Sequence, residues 1–209
     1  STHQAPREWE KGQLGKEGEF ILELKLIADV GLIGFPNSGK STLISKISDA
    51  KPLIADYPFT TLTPNLGVVD VDDSRSFVVA DIPGLIEGAH LGHGLGIKFL
   101  RHVERTKILL HLIDVSPFTG RKPAQDFKVV MKELEAFSPR LVKRHQIIAA
   151  NKIDLLGEDK SRLKEIEDLA RLEEISFFAI SALKSQGVKD MVRALSETLQ
   201  HLERGDSLG

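Results

Sequence analysis

Apolar residues recur along this chain with two periods, and the switches between them outline its elements. Phe20, Leu22, Leu24 and Leu26 alternate with polar neighbours, whereas residues 28–33 form a nearly unbroken apolar run. The first pattern predicts a half-buried strand and the second a strand covered on both faces. Residues 67–71 and 76–80 read as two further strands joined by the acidic turn Asp72, Asp73, Ser74, which is short enough to make them antiparallel. Strands are expected again at 108–113, 146–150 and 177–180, separated by helical periodicity at 42–47, 125–137, 160–172 and 188–202. A short helix at 97–104 would place Ile97, Leu100 and Val103 inward and leave Lys98, Arg101 and Arg105 solvated. This alternation predicts an α/β fold: a mostly parallel six-stranded sheet with one antiparallel edge strand and helices on both faces.

Three stretches carry neither period. Residues 1–18 are polar with Pro6, Gly12, Gly15 and Gly18, residues 52–64 are rich in Pro and Thr, and residues 84–96 are rich in Gly. The expected organisation is a connector and the last strand of a missing upstream module over 1–27, one domain over 28–204 and a tail over 205–209. A start at Ser1 fits a fragment of something longer. At 209 residues, 41% hydrophobic, 28% charged and net charge −2, the composition is that of a soluble globular domain, without the global basic excess of a nucleic-acid binder. A local basic face would escape that count. The absence of cysteine excludes disulfides, cysteine metal sites and thiol catalysis, and suits a reducing compartment, so a cytoplasmic location is expected. The apolar run 108–115 is too short to span a bilayer and is interrupted by His111 and Asp114.

The stretch Gly34, Phe35, Pro36, Asn37, Ser38, Gly39, Lys40, Ser41 fits GxxxxGK[ST] and follows the buried strand. Glycines there let the backbone turn its N–H groups inward on a phosphate, and the helix that continues through Thr42 adds its positive end. Lys40 supplies a charge toward the β- and γ-phosphates, and the Ser41 hydroxyl a ligand for Mg2+. Asp81, Ile82, Pro83, Gly84 follow a strand end. Asp81 can hold Mg2+ through a water, and the Gly84 N–H can reach a γ-phosphate. Asn151, Lys152, Ile153, Asp154 follow another strand, where an open α/β sheet binds ligands. The Asp154 carboxylate can accept from guanine N1–H and the exocyclic amine, a donor pair that adenine lacks. Asn151 would meet N7 and brace the loop, and the Lys152 stem would cover the base. Ser181, Ala182, Leu183 follow the last strand, and the Ala182 N–H can serve guanine O6. His90 and His93 read as solvated loop residues, and Gly92, Gly94 and Gly96 as part of a flexible switch rather than a dinucleotide fingerprint.

The order of these motifs resembles that of the Ras-like GTPases. Residues 23–42 (ELKLIADVGLIGFPNSGKST), 57–69 (YPFTTLTPNLGVV) and 81–106 (DIPGLIEGAHLGHGLGIKFLRHVERT) are similar to the GTPase domain of the bacterial Obg family, and APREW at 5–9 resembles the tail of that family's N-terminal domain. The resemblance implies a GTP/GDP-binding GTPase that uses Mg2+. It places the switch within Phe59, Thr60, Thr61, Leu62, Thr63, with Thr61 on Mg2+ and the γ-phosphate and Thr60 as its local competitor. Lys40, Gly84, Thr61 and Asn37 are the catalytic candidates, Asn37 because it is implied to bind a monovalent cation, K+. Leu85 stands where Ras-type enzymes carry a water-orienting glutamine, so hydrolysis is expected to be slow, on the order of 10⁻⁴ s⁻¹ unassisted. The family further implies a monomer that acts at the large ribosomal subunit during assembly and responds to ppGpp. Two rivals remain: a nucleotide-gated binding module in which turnover is incidental, and an ATPase sharing only the phosphate loop.

Overall fold

In the computed structural model, residues 15, 28–48, 53–54, 65–72, 75–82 and 106–205 are described. The expected strand at 20–26, the helix at 97–104, the switch residues 59–63, and Pro83, Gly84, Leu85, His90 and His93 lie outside them. Strands β1 (Val30–Ile33), β3 (Asn65–Asp72), β4 (Arg75–Asp81), β5 (Ile108–Asp114), β6 (His145–Asn151) and β7 (Ser176–Ile180) are the six expected from the sequence. A two-residue strand, β2 (Leu53–Ile54), adds a seventh, antiparallel to β3, and takes the edge position. Among the described residues the order is β2-β3-β4-β1-β5-β6-β7. The β3–β4 pair is antiparallel, and β4, β1, β5, β6 and β7 run parallel.

The helices are α1 (Lys40–Ile47), α2 (Pro123–Phe137), α3 (Pro139–Val142), α4 (Ser161–Leu172) and α5 (Val188–Arg204). Period-two alternation decides which of them each strand residue meets. Ile108, Leu110 and Leu112 of β5, with Ile147 and Ala149 of β6, pack with Leu43 and Ile44 of α1 and Met191 and Leu195 of α5. On the opposite face, Leu109 meets Val130 and Leu134 of α2 and Leu141 of α3. Ile148 and Ala150 meet Phe127 of α2 and Ile166 and Ala170 of α4. All seven residues of β5 are buried, because helices cover the strand on both sides.

The site is positioned by this topology. From β1 the chain leaves toward the β2 edge and returns through β3 and β4, whereas from β5 it continues toward β6 and β7, so the loops leaving β1 and β5 part and open a crevice at the C-terminal edge of the sheet. Register aligns the strand ends there: Leu32 pairs with Asp81, Asp114 with Asn151, and Asn151 with Ile180. The sequence motifs therefore emerge side by side along one edge.

Candidate functional site

Two glycines permit the loop between β1 and α1. Gly39 caps α1 with φ 103, a conformation costly for any residue with a Cβ, and a Cβ there would run into Asn151 Nδ2. Gly34 packs so closely on β5 that a Cβ would meet the Leu112 carbonyl oxygen. Lys40 then turns its ammonium back into the loop, donating to the carbonyl oxygens of Gly34 at 3.0 Å and Phe35 at 3.3 Å. The charge thus stands at the centre of the turn. Asn37 holds φ 62, the left-handed region that asparagine tolerates better than most residues. Ser38 is buried, and its Oγ has no hydrogen-bond partner.

Asp81, at the end of β4, is 7% exposed and its Oδ1 is likewise unpartnered. Burial raises its pKa, while the Lys40 charge and a hydrogen bond with Asn65 pull it back. A buried carboxylate oxygen without a donor, facing a lysine, suits a metal-bound water. This is the observation by which the residues present fit Mg2+.

Asn151 ties the motifs together. Its Nδ2 donates to the Ser38 carbonyl oxygen at 2.7 Å, and its Oδ1 accepts from the Ala182 N–H at 2.9 Å. One side chain, 2% exposed, thereby spans the phosphate loop and the loop after β7. The Ala182 N–H, expected from the sequence to serve guanine O6, is thus already engaged by Asn151. Beside it, Gly39, Thr42, Asn151, Lys152, Asp154, Leu155, Ala182 and Leu183 line a cleft of about 270 Å³. The structure brings the phosphate-loop, Asn151–Asp154 and Ser181–Leu183 residues to one place, with Asp81 beside Lys40.

A residue without a motif holds Lys152, one of the lining residues. Asp114, at the end of β5, accepts from the Ser116 N–H through Oδ1 at 2.8 Å and from the Lys152 ammonium through Oδ2 at 2.6 Å. From the sequence it registered only as an interruption of an apolar run. A carboxylate at the end of a buried strand, on the crevice edge, was the available signal.

A profile of the family described as 50S ribosome-binding GTPase matches residues 29–152, more than half of the chain. The chain belongs to that family. Among its relatives, the Obg GTPase of Solibacter usitatus is 58% identical over 196 residues, which cover 94% of this chain and 58% of the relative. The Obg GTPase of Aquifex aeolicus is 54% identical over 206 residues, covering 99% and 60%. The Obg resemblance read from the sequence is therefore found across nearly the whole GTPase chain. The chain spans about three fifths of the length of these relatives. Solved structures agree on the fold. A point variant of Aquifex aeolicus Era bound to GDP and AlF4− superposes with TM-score 0.59 at 23% identity, covering 83% of this chain and 57% of that one. The G domain of the T. maritima FeoB iron transporter gives 0.58 at 22%, covering 80% and 96%.

Proposed function

We propose that this chain binds GTP with Mg2+, hydrolyses it slowly to GDP and phosphate, and switches through loops 52–64 and 81–96. The observation that carries this reading is the double tether of Asn151, which sets the phosphate loop and the 181–183 loop around one cleft with Asp154 on its wall. Asp154 would accept from guanine N1–H and the amine, and the Lys152 stem would cover the base. Guanine O6 would share the Ala182 N–H with Asn151 in a three-centre bond. Lys40 would release the loop carbonyls to meet β- and γ-phosphate oxygens, joined by the loop N–H groups and the N-terminus of α1. Ser41 and Thr61 would hold Mg2+ directly and Asp81 through a water. Held by these residues, Mg2+ would supply charge neutralisation for the phosphates.

With Leu85 in place of a water-orienting side chain, positioning falls to Thr61 and the Gly84 N–H, and added charge to K+ at Asn37. Kinship with the Obg GTPases supports extending the proposal to a cytoplasmic protein that acts at the large ribosomal subunit during its assembly and responds to ppGpp. Steady-state phosphate release in KCl and in NaCl, with and without large ribosomal subunits, tests turnover, cation and partner together. Slow GTP turnover, faster in K+ and faster again with subunits, is expected, and Asn37→Ala should abolish the K+ effect. Equal rates in both salts for the parent would remove the cation, and no GTP turnover under any condition would remove the enzyme.

A further inference from the structure

Lys152 is held in an unusual way for a surface lysine. Its backbone has φ 70, a left-handed conformation that is unfavourable for a residue with a Cβ. The residue lines two clefts at once. One is the cleft with Asp154 and Ala182, and the other is an open cleft of about 290 Å³ that includes Asn37, Asp114, Ser116 and Thr119. Leu155 borders both as well, and Asp114 holds the free end of the lysine. Asp114 is 4% exposed, and both its oxygens are occupied by donors from the segments that follow β5 and β6.

We propose that Asp114 is a positioning residue for the nucleotide base: it anchors the Lys152 ammonium so that the lysine stem stands as a fixed wall of the guanine cleft. A lysine stem has four rotatable bonds, and an untethered one loses that freedom when a base stacks on it. Prior anchoring removes this cost, so the contribution of Asp114 lies in how long a bound nucleotide is retained rather than in the chemical step. The proposal rests on the guanine-nucleotide reading of the cleft.

The test is a double-mutant cycle on the release of a fluorescent GDP chased with excess GDP, using the whole chain. Asp114→Asn keeps the size of the side chain and an acceptor for Ser116 but turns an amide N–H toward the ammonium. It is expected to speed release roughly tenfold with the association rate unchanged. Lys152→Met keeps the apolar stem without the charge, and Asp114→Asn added to it should change release by less than about twofold. A merely structural role would instead weaken retention by the same factor in both backgrounds. That result, or parental release rates for Asp114→Asn, overturns the positioning role. Should Asp114→Asn fail to fold, as judged by thermal melting, Asp114→Ser, which also keeps an acceptor for Ser116, takes its place in the cycle. A parent that retains no GDP overturns the guanine reading and this role together, whereas retention by both the parent and Asp114→Asn at equal rates overturns the role alone.

Discussion

His111 lies in the middle of β5 with its ring 4.9 Å from that of Phe127 and its Nε2 2.7 Å from Gln146 Oε1. Gln146 donates its own amide to the Val142 carbonyl oxygen, so its Oε1 faces the histidine and Nε2 carries the proton. Nδ1 has no partner, and His111 lines a water-sized cavity together with Asp114 and Asp126. Burial lowers the pKa from 6.5 to about 4, against the Gln146 bond, which raises it. Below pH 6.5 the unfolded chain takes up a proton here that the folded one refuses. The stabilisation is complete above pH 6.5 and is lost as pH falls toward 4, by about 3 kcal/mol in all. Urea unfolding at about pH 7 and about pH 4.5 should show this fall, and His111→Phe should flatten it; an unchanged pH dependence would contradict the assignment. The pairings of His111 and Asp114 were illegible in the sequence, since their partners Gln146 and Lys152 lie 35 and 38 residues away. Lys40 and Asp154 stood out as candidates because each sits in a short motif whose neighbours are adjacent in sequence.

The loops at the C-terminal edge behave as one unit through Asn151, which reaches a partner 113 residues earlier and another 31 residues later. The phosphate loop packs on β6 so closely that Gly39 has no room for a side chain. Gly39→Ala therefore combines left-handed strain with a collision against Asn151, and a loss of roughly 2–3 kcal/mol is expected. Urea unfolding would show it as a lower midpoint with an unchanged slope. A midpoint within error of the parent would mean that the contact is slack. Four of the five described helices and six strands were legible from apolar periodicity, with ends shifted by at most two residues, whereas the four-residue α3 is too short to show a period. Two-residue β2 was not, since so short a pairing leaves no period in a Pro- and Thr-rich loop.

At the scale of the whole molecule, a parallel sheet covered on both faces places five strand ends along one crevice, and the order of motifs along the chain becomes a spatial arrangement. Membership in the 50S ribosome-binding GTPases agrees with that arrangement over residues 29–152. No helix among the described residues is long and apolar enough to cross a membrane. The sheet itself would serve any nucleotide, and in the proposed function the choice of base falls to Asp154, which lines the cleft. The most direct measurement is equilibrium titration of the chain with fluorescent GDP and ADP in Mg2+ buffer, for the parent and for Asp154→Asn. GDP is expected to bind at least roughly a hundredfold more tightly than ADP, and Asp154→Asn to erase most of that preference, as the loss of two charge-assisted hydrogen bonds requires. Equal affinity of the parent for the two nucleotides would contradict the guanine assignment.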